Sequence, residues 1–293
     1  MRLPRFEYYA PETLEAALSL LEDRGEGAFV MAGGTDMMVK MSHGRLKPKT
    51  IISLKSIPGM DMISFDPANG MMIGATTRLA DILTDLRIET HYPALIQAVQ
   101  TMANVEVRNM ATLAGNICNA APSADSAPPL MVMNAEVSLA SVRGERRLPL
   151  SDFFRGPGLT LMQAGEIMTS IHLPAPQVGR GASYMRISAR CGVDIAAVGV
   201  GVEVRVQSGV FSEARIVLGA VAPVPLRASG SEASLIGKPL NDETLELVSD
   251  MAAHESKPIS DVRASADYRK RMVAVLTRRA ITQAYERSTA RHS

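Results

Sequence analysis

Hydrophobic residues recur with a helical period in some parts of the chain and in strand-like runs in others. Near the amino terminus, Leu14, Ala17, Leu18 and Leu21 follow the i, i+3, i+4, i+7 spacing, which predicts a helix over residues 11–22. Up to residue 176 the pattern further predicts helices over 79–85 and 93–99 and strands over 28–31, 49–54, 71–75, 135–142 and 166–172. A turn at 56–59 would close a first small lobe.

The pattern changes after Pro174 and Pro176, which mark a boundary. Strands predicted over 182–188, 195–206 and 211–220 are followed by helices over 242–253 and 265–287, the second of them capped by Ser265. Runs of strands followed by helices are typical of an α+β domain. We therefore predict an α+β protein with more than one structural unit.

One stretch, residues 111–125, is dense in small residues, amides and turn-forming residues, yet it includes Leu113 and Ile117 as apolar anchors. Gly115 and the alanines around it leave room for a bulky group. Free N–H groups, together with Asn, Ser and Thr side chains, supply hydrogen bonds. This composition favours a backbone pressed against a ligand over a surface loop or a strand.

A second stretch of this kind lies upstream, at Ala32-Gly33-Gly34-Thr35-Asp36. It follows a predicted buried strand and precedes a short predicted helix that Thr35 or Asp36 would cap. Consecutive N–H groups in a Gly-Gly turn before a helix bind phosphate oxygens, so two such loops indicate a long ligand with a central pyrophosphate. Alternatively, the Gly-Gly pair is a plain turn and Asp36 only a helix cap, because its charge would repel a pyrophosphate.

Composition and charge exclude several classes of function. A balance of 31 Lys and Arg against 30 Asp and Glu argues against nucleic acid as the main partner. Without an apolar run of about 18 residues or a signal-peptide core, we expect a cytoplasmic protein with no membrane insertion. Cys118 and Cys191 are the only cysteines and the five histidines are scattered, so we expect no iron–sulfur cluster and no metal site on this chain. Cys118 itself is typical of a small buried residue.

The two loops, in this order, resemble the flavin motifs of the FAD-binding subunits of molybdenum hydroxylases. That family includes the medium subunit of aerobic carbon monoxide dehydrogenase and the flavin domain of xanthine dehydrogenase. The resemblance also takes in the opening helix, the strand at 166–168, residues 183–190 with Asp194, and the tail at 261–269. It implies a two-lobed FAD-binding domain of the vanillyl-alcohol-oxidase (PCMH) type over residues 1–176, with lobes at about 1–56 and 57–176. Residues 177–293 would form a C-terminal domain of a small antiparallel sheet with helices.

The resemblance also implies which residues hold the cofactor. Backbone N–H groups of the two loops would bind the pyrophosphate and ribityl region, at Ala32, Gly33, Gly34, Thr35, Asp36, Thr112, Leu113, Ala114, Gly115 and Asn116. Asp125 would contact FAD with its carboxylate, unless it only caps the turn after Pro122. The backbone at Ile167 or Met168 would line the flavin ring. Arg186 stands where some relatives carry a lysine near the isoalloxazine, and Ala114 where many carry a glycine.

The function implied is that of an oxidoreductase subunit. No nucleophile–base pair or acid–base dyad stands out, which is typical of a chain whose chemistry belongs to its cofactor. Electrons would pass from [2Fe-2S] clusters on a small partner subunit through FAD to an external acceptor. Substrate would be hydroxylated at a molybdopterin cofactor on a large partner subunit, in a dimer of heterotrimers. The scarcity of cysteine excludes, as close models, relatives with a [4Fe-4S] loop in this subunit.

Two other hypotheses stay open. In the first, the chain is a self-sufficient flavin oxidoreductase with its own substrate domain, although no substrate-site acid or base supports this. In the second, it is an assembly subunit without FAD. Intact Gly33, Gly34, Gly115 and Asn116 argue against the second. The substrate of the complex and the final acceptor, whether NAD, oxygen or a quinone, are not encoded in these motifs. The basic residues at 269–271 and 278–279 indicate a solvated helix face or a subunit contact.

Overall fold

The computed structural model describes residues 3–190 and 193–290, so Cys191 and His292 lie outside the described residues. The first lobe consists of β1 (Glu7–Tyr9), α1 (Leu14–Arg24), β2 (Ala28–Met31), α2 (Thr35–Ser42) and β3 (Thr50–Ser53). Its strands form a parallel sheet in the order β1-β3-β2. Helix α1 packs its predicted apolar face, with Ala17, Leu18 and Leu21 buried, into the core.

The second lobe is built around a five-stranded antiparallel sheet. Its elements are β4 (Ile63–Asp66), β5 (Gly70–Gly74), α3 (Leu79–Thr84), α4 (Leu86–His91), α5 (Pro93–Thr101), α6 (Val105–Arg108), α7 (Leu113–Asn119), α8 (Ala127–Val132), β6 (Glu136–Ser141), β7 (Gly144–Pro149), α9 (Leu150–Phe153), β8 (Phe154–Gly156), β9 (Leu159–Thr160) and β10 (Ile167–Leu173). The strand order is β4-β5-β10-β6-β7. The predicted strands are the three central ones. The edge strands β4 and β7 are absent from the prediction because their residues are half-exposed and polar in pattern.

The C-terminal part is an antiparallel sheet covered by helices. It comprises β11 (Arg180–Ser188), β12 (Ala196–Gln207), β13 (Val210–Gly219), β14 (Leu226–Arg227), α10 (Ser229–Leu235), α11 (Asp242–Glu255) and α12 (Ala266–Ala290). The strands pair in chain order. Val198, Val200 and Val202 of β12 form, with α11 and α12, an apolar core separate from that of the first two lobes. The predicted α+β class, with an antiparallel sheet and helices at the end of the chain, is confirmed.

One helix begins differently from the prediction. The N-cap of α2 is Gly34, with φ 79°, and not Thr35 or Asp36. The turn at Gly34 has a left-handed conformation, which favours glycine. Helix α3 begins at Leu79, as predicted, after the N-cap Arg78. The predicted cap Ser265 does accept a hydrogen bond, from the N–H of Tyr268 at 3.2 Å. Among the described helices, none combines the length and the apolar character that crossing a membrane requires.

Candidate functional site

The two predicted FAD loops lie against each other. A Cβ built on Gly33 would lie 2.3 Å from the carbonyl oxygen of Met110 and 2.8 Å from the Cα of Ala111, just before the second loop. Only glycine permits so close an approach of two backbones. Farther along, Nζ of Lys40 on α2 donates to Oδ1 of Asn119 on α7 at 2.6 Å. Helices α2 and α7 therefore lie side by side, with their amino termini at the same end.

The amino termini of these two helices present N–H groups without protein partners. In α2 the first intrahelical hydrogen bond runs from Met38 N–H to the carbonyl of Gly34, and Gly34 has no side chain to cap the turn. In α7 the hydroxyl of Thr112 accepts the N–H of Gly115 at 3.0 Å. Within the described residues, N–H groups donate to no acceptor at Thr35, Asp36, Met37, Leu113 and Ala114. Converging donors at two helix amino termini form an anion site, because the helix dipoles add to the hydrogen bonds.

Apolar side chains anchor the second loop in the core. Leu113 and Ile117 are fully buried, which confirms the prediction that they anchor the loop. Ala114 is also buried. Asn116 uses its Oδ1 to accept the hydroxyl of Ser126 at 2.6 Å. The loop is therefore fixed before any ligand arrives.

Asp125 and Arg186 form a buried ion pair between the first part of the chain and β11. Oδ2 of Asp125 accepts from Nη1 of Arg186 at 2.8 Å, and Oδ1 accepts from the hydroxyl of Tyr184 at 2.6 Å. Arg186 also donates to the carbonyls of Thr101 (3.0 Å) and Asp194 (2.7 Å). Burial raises the pKa of the Asp125 carboxyl, and the charge of Arg186 opposes that rise.

These contacts bring together two residues that the sequence analysis treated separately. Both carboxylate oxygens of Asp125 accept from β11, so the alternative that Asp125 merely caps the turn after Pro122 is wrong. No role was predicted for Tyr184 itself. Its N–H donates to Oε1 of Gln97 at 3.0 Å, and Arg287 donates to the same oxygen at 2.7 Å. The partners lie far apart in the chain, so no local signal pointed to them.

The predicted flavin-ring wall lies on β10, next to the end of α7. Ile167 and Met168 are buried, and the Sδ of Met168 lies 3.8 Å from the Sγ of Cys118. Burial raises the pKa of the Cys118 thiol to about 12. The start of β10 is held by Arg146, which donates from Nε and Nη2 to the two carboxylate oxygens of buried Glu166, at 2.6 and 2.9 Å. Arg146 was missed because its sequence context is that of a polar strand.

The tail at 261–269 supports the second loop through Arg269. This residue is buried, which corrects its interpretation as part of a solvated helix face. Its Nη1 donates to the carbonyls of Ala197 (3.0 Å) and Ala220 (2.9 Å), and its Nη2 to Oδ1 of Asp261 (2.7 Å). The N–H of Ala220 in turn donates to the carbonyl of Pro122 at 2.8 Å. Hydrogen bonds from Arg263 N–H and from Arg269 lower the pKa of Asp261 to about 2.

One further segment borders the second loop. The N–H of Leu79 donates to the carbonyl of Ala111 at 2.9 Å, and Arg78 forms a β-bridge with Thr112. The hydroxyl of Thr77, beside it, is buried and has no partner among the described residues. Across those same residues, no three His, Cys, Asp or Glu side chains converge in a way that could hold a metal ion.

Comparisons with known proteins identify the family of the chain. Residues 4–176 match the family described as "FAD binding domain in molybdopterin dehydrogenase", and residues 183–284 match "CO dehydrogenase flavoprotein C-terminal domain". The chain is 32% identical over 278 residues to the xanthine dehydrogenase FAD-binding subunit of Escherichia coli O157:H7, covering 94% of this chain and 95% of that one. It is 31% identical to the carbon monoxide dehydrogenase medium chain of Hydrogenophaga pseudoflava, covering 97% and 98%.

A solved structure gives the same result for the fold. The carbon monoxide dehydrogenase of H. pseudoflava that lacks the Mo-pyranopterin moiety superposes with a TM-score of 0.94 at 32% identity, covering 98% of this chain and 99% of that one. Both parts of the chain, and their arrangement, are thus similar to those of a flavoprotein chain.

Proposed function

Because the chain belongs to the family of FAD-binding subunits of molybdenum hydroxylases, we propose that it holds one FAD between its two lobes and carries electrons from an iron–sulfur partner subunit to an external acceptor. The observation that carries this proposal is the contact of Gly33 with the backbone of Met110. That contact places the amino termini of α2 and α7 at one point, where their free N–H groups match the charge of a pyrophosphate.

The fit of the residues to FAD rests on the chemistry of these donors. The pyrophosphate and ribityl region would be held by the backbone at Ala32, Gly33, Gly34, Thr35, Asp36, Thr112, Leu113, Ala114, Gly115 and Asn116. Thr112 acts mainly through its cap on Gly115, which fixes the first turn of α7. Asp36 is exposed, so its carboxylate is free to turn away from the phosphates while its N–H donates.

Asp125 and Arg186 would act at the flavin end of the site. Each carboxylate oxygen of Asp125 has a second lone pair beyond its present hydrogen bond and can accept one from a cofactor hydroxyl. Arg186 would keep that carboxylate ionised and in place, since its charge opposes the effect of burial on the pKa. The buried backbone of Ile167 and Met168 would line the ring and exclude water from it.

The chemistry belongs to the cofactor: bound FAD exchanges electrons both singly and in pairs. The relatives are subunits of dehydrogenase complexes, so we assign the [2Fe-2S] clusters and the molybdopterin to a small and a large partner subunit, in a dimer of heterotrimers in the cytoplasm. We divide the chain at residues 176 and 177, because the sheet and helices after this point build a second apolar core of their own.

The first test is reconstitution of the purified chain with FAD, followed by addition of its partner subunits. We expect one FAD per chain, with a flavin band near about 450 nm, and bleaching of that band when the reduced iron–sulfur subunit is added. Turnover of an organic donor by the isolated chain would support a self-sufficient oxidoreductase instead. A folded chain that binds both partners but no FAD would support an assembly role.

A further inference from the structure

A run of cations without acidic neighbours in sequence lies beside the candidate site. Residues 37–60 contain Lys40, Arg45, Lys47, Lys49 and Lys55 but no Asp or Glu, although the whole chain carries almost equal numbers of the two charges. All five are exposed. Four of the chain's seven lysines fall in this segment. A charge imbalance this local produces a positive potential on one side of the first lobe.

The fold gathers four of these cations into what we call the basic turn: Lys40, Arg45, Lys47 and Lys49. The N–H groups of Arg45 and Leu46 both donate to the carbonyl of Lys40, at 2.9 and 3.2 Å, which closes the chain on itself after α2. The N–H of Lys49 donates to the carbonyl of Gly27 at 2.9 Å and fixes the exit. The turn therefore presents its cations from a fixed backbone.

The cations of the basic turn form no ion pair within the described residues, although Lys40 donates a hydrogen bond to Asn119. The ion pairs of the described residues are made by arginine, for example Arg186 with Asp125 and Arg146 with Glu166, and none by a residue of the basic turn. Glu7, whose N–H donates to the carbonyl of Lys49, is already paired with Arg24 at 3.0 Å. The positive charge of the turn thus stays available to a partner.

One end of the basic turn, at Lys40, lies close to the predicted flavin wall. Lys40 donates to Asn119, and the neighbour of Asn119, Cys118, contacts the sulfur of Met168. A protein docked on the basic turn would therefore approach the ring end of the site. Short separation between redox centres is what rapid electron transfer requires.

The use of lysine indicates a transient partner and not a permanent subunit. Lysine is depleted in the cores of stable interfaces, where its strongly hydrated charge is costly to bury. Exposed lysines instead steer oppositely charged partners into brief encounters, whose rate falls as salt is added.

We infer that the basic turn is the docking surface for an acidic protein that carries one electron at a time and accepts electrons from the bound FAD. This inference rests on the proposed function and names the class of the external acceptor. Each FAD that holds two electrons would reduce two molecules of the acceptor. Its two protons would pass to solvent, which balances the exchange.

The test uses the full chain loaded with FAD and, as the probe, an acidic [2Fe-2S] ferredoxin. Binding is measured by calorimetry at low and at high salt, with two matched double variants. Lys47→Glu/Lys49→Glu reverses two charges of the basic turn. Lys257→Glu/Lys270→Glu reverses the charges of two exposed lysines of the C-terminal part.

We expect the first variant to weaken binding by about tenfold or more at low salt and the second by less than about twofold. We also expect the ferredoxin to reoxidise reduced FAD more slowly than in the wild type in the first variant, and at the wild-type rate in the second.

Three results would overturn the inference: no binding of the ferredoxin by the FAD-loaded wild type, binding that both variants weaken equally, or binding that salt does not change. Loss of the iron–sulfur subunit from the first variant, with unchanged reoxidation, would also overturn it and make the turn a permanent interface. FAD content is measured beforehand on every sample. A chain without FAD contradicts the proposed function, whereas a loaded chain that fails to bind contradicts only the docking surface.

Discussion

A Cβ on Gly33 would lie 2.3 Å from the carbonyl oxygen of Met110, so the first glycine loop and the segment leading into the second are in backbone contact. No side chain fits between them. The contact brings together two helix amino termini that lie about eighty residues apart in the sequence. The geometry of the candidate site depends on this contact more than on any single side chain.

Loss of the Thr112 hydroxyl should affect the affinity for FAD more than the stability of the fold. Thr112→Val removes the cap on the N-H of Gly115 at nearly constant volume, and loss of such a cap costs about 1 kcal/mol of unfolding free energy. Because the first turn of α7 then loosens, we expect FAD to bind about tenfold more weakly.

The matched control is Thr13→Val, which removes the cap that accepts the N–H of Ala16 on α1, away from the loops. Both variants should lose a similar amount of stability in urea titrations, but only Thr112→Val should lose FAD affinity. Equal FAD affinity in the two variants would show that α7 is not part of the site.

The buried pair of Asp125 and Arg186 should show strong coupling. Asp125→Asn leaves the buried guanidinium without its counter-charge, which costs about 3–5 kcal/mol. Arg186→Met leaves the carboxylate unpaired at a similar cost. In urea unfolding of the chain without FAD, the double variant should lose much less unfolding free energy than the sum of the losses in the two single variants. Additive losses, within about 0.5 kcal/mol, would mean that the pair does not join the two parts.

Asp261 should make the unfolding free energy of the chain depend on pH in the acidic range. Its pKa is lowered from 3.8 to about 2 in the folded chain, so its ionised form stabilises the fold above pH 3.8 and this contribution is lost as the pH falls towards about 2. Asp261→Asn should therefore cost about 1–2 kcal/mol at pH 7 and progressively less below pH 4. Unfolding free energies of both proteins across that range check this, and a gap that does not change with pH would contradict it.

The thiol of Cys118 should be unreactive in the folded chain. With a pKa of about 12, its thiolate fraction at pH 8 is about a thousandfold below that of an ordinary cysteine. In a Cys191→Ser background, a thiol reagent should label Cys118 at least that much more slowly in the native chain than in urea. Rapid labelling of the native chain would show that the contact between Cys118 and Met168 opens readily.

The parts of the site that follow from local pattern could be predicted from the sequence. The apolar character of Leu113 and Ile117, within a stretch of small and polar residues, identified them as anchors, and both are fully buried. The helix after Gly34 was expected, but its cap was assigned to Thr35 or Asp36 by propensity alone. The structure places the cap at Gly34, whose positive φ favours glycine, next to Gly33, which makes the contact with Met110.

The supports of the site could not be predicted because they join distant parts of the chain. Asp125 meets Tyr184 and Arg186, which lie 59 and 61 residues later. Arg269 stands beside Lys270 and Arg271, so its neighbours indicate a solvated face. Its guanidinium is nevertheless buried, because Nη1 donates to the carbonyls of Ala197 and Ala220 and Nη2 donates to the carboxylate of Asp261, although Nε has no partner among the described residues.

The most direct test of the central claim is an FAD titration of the chain without cofactor, compared between Gly33→Ala and Gly156→Ala. A methyl group on Gly156 meets only the side chain of Leu159, at 3.6 Å, whereas on Gly33 it collides with the backbone of Met110. Overpacking of this kind costs about 1–3 kcal/mol. We predict one tightly bound FAD in the wild type and in Gly156→Ala, and loss of FAD from a still folded Gly33→Ala. Undiminished FAD binding by Gly33→Ala would contradict the account.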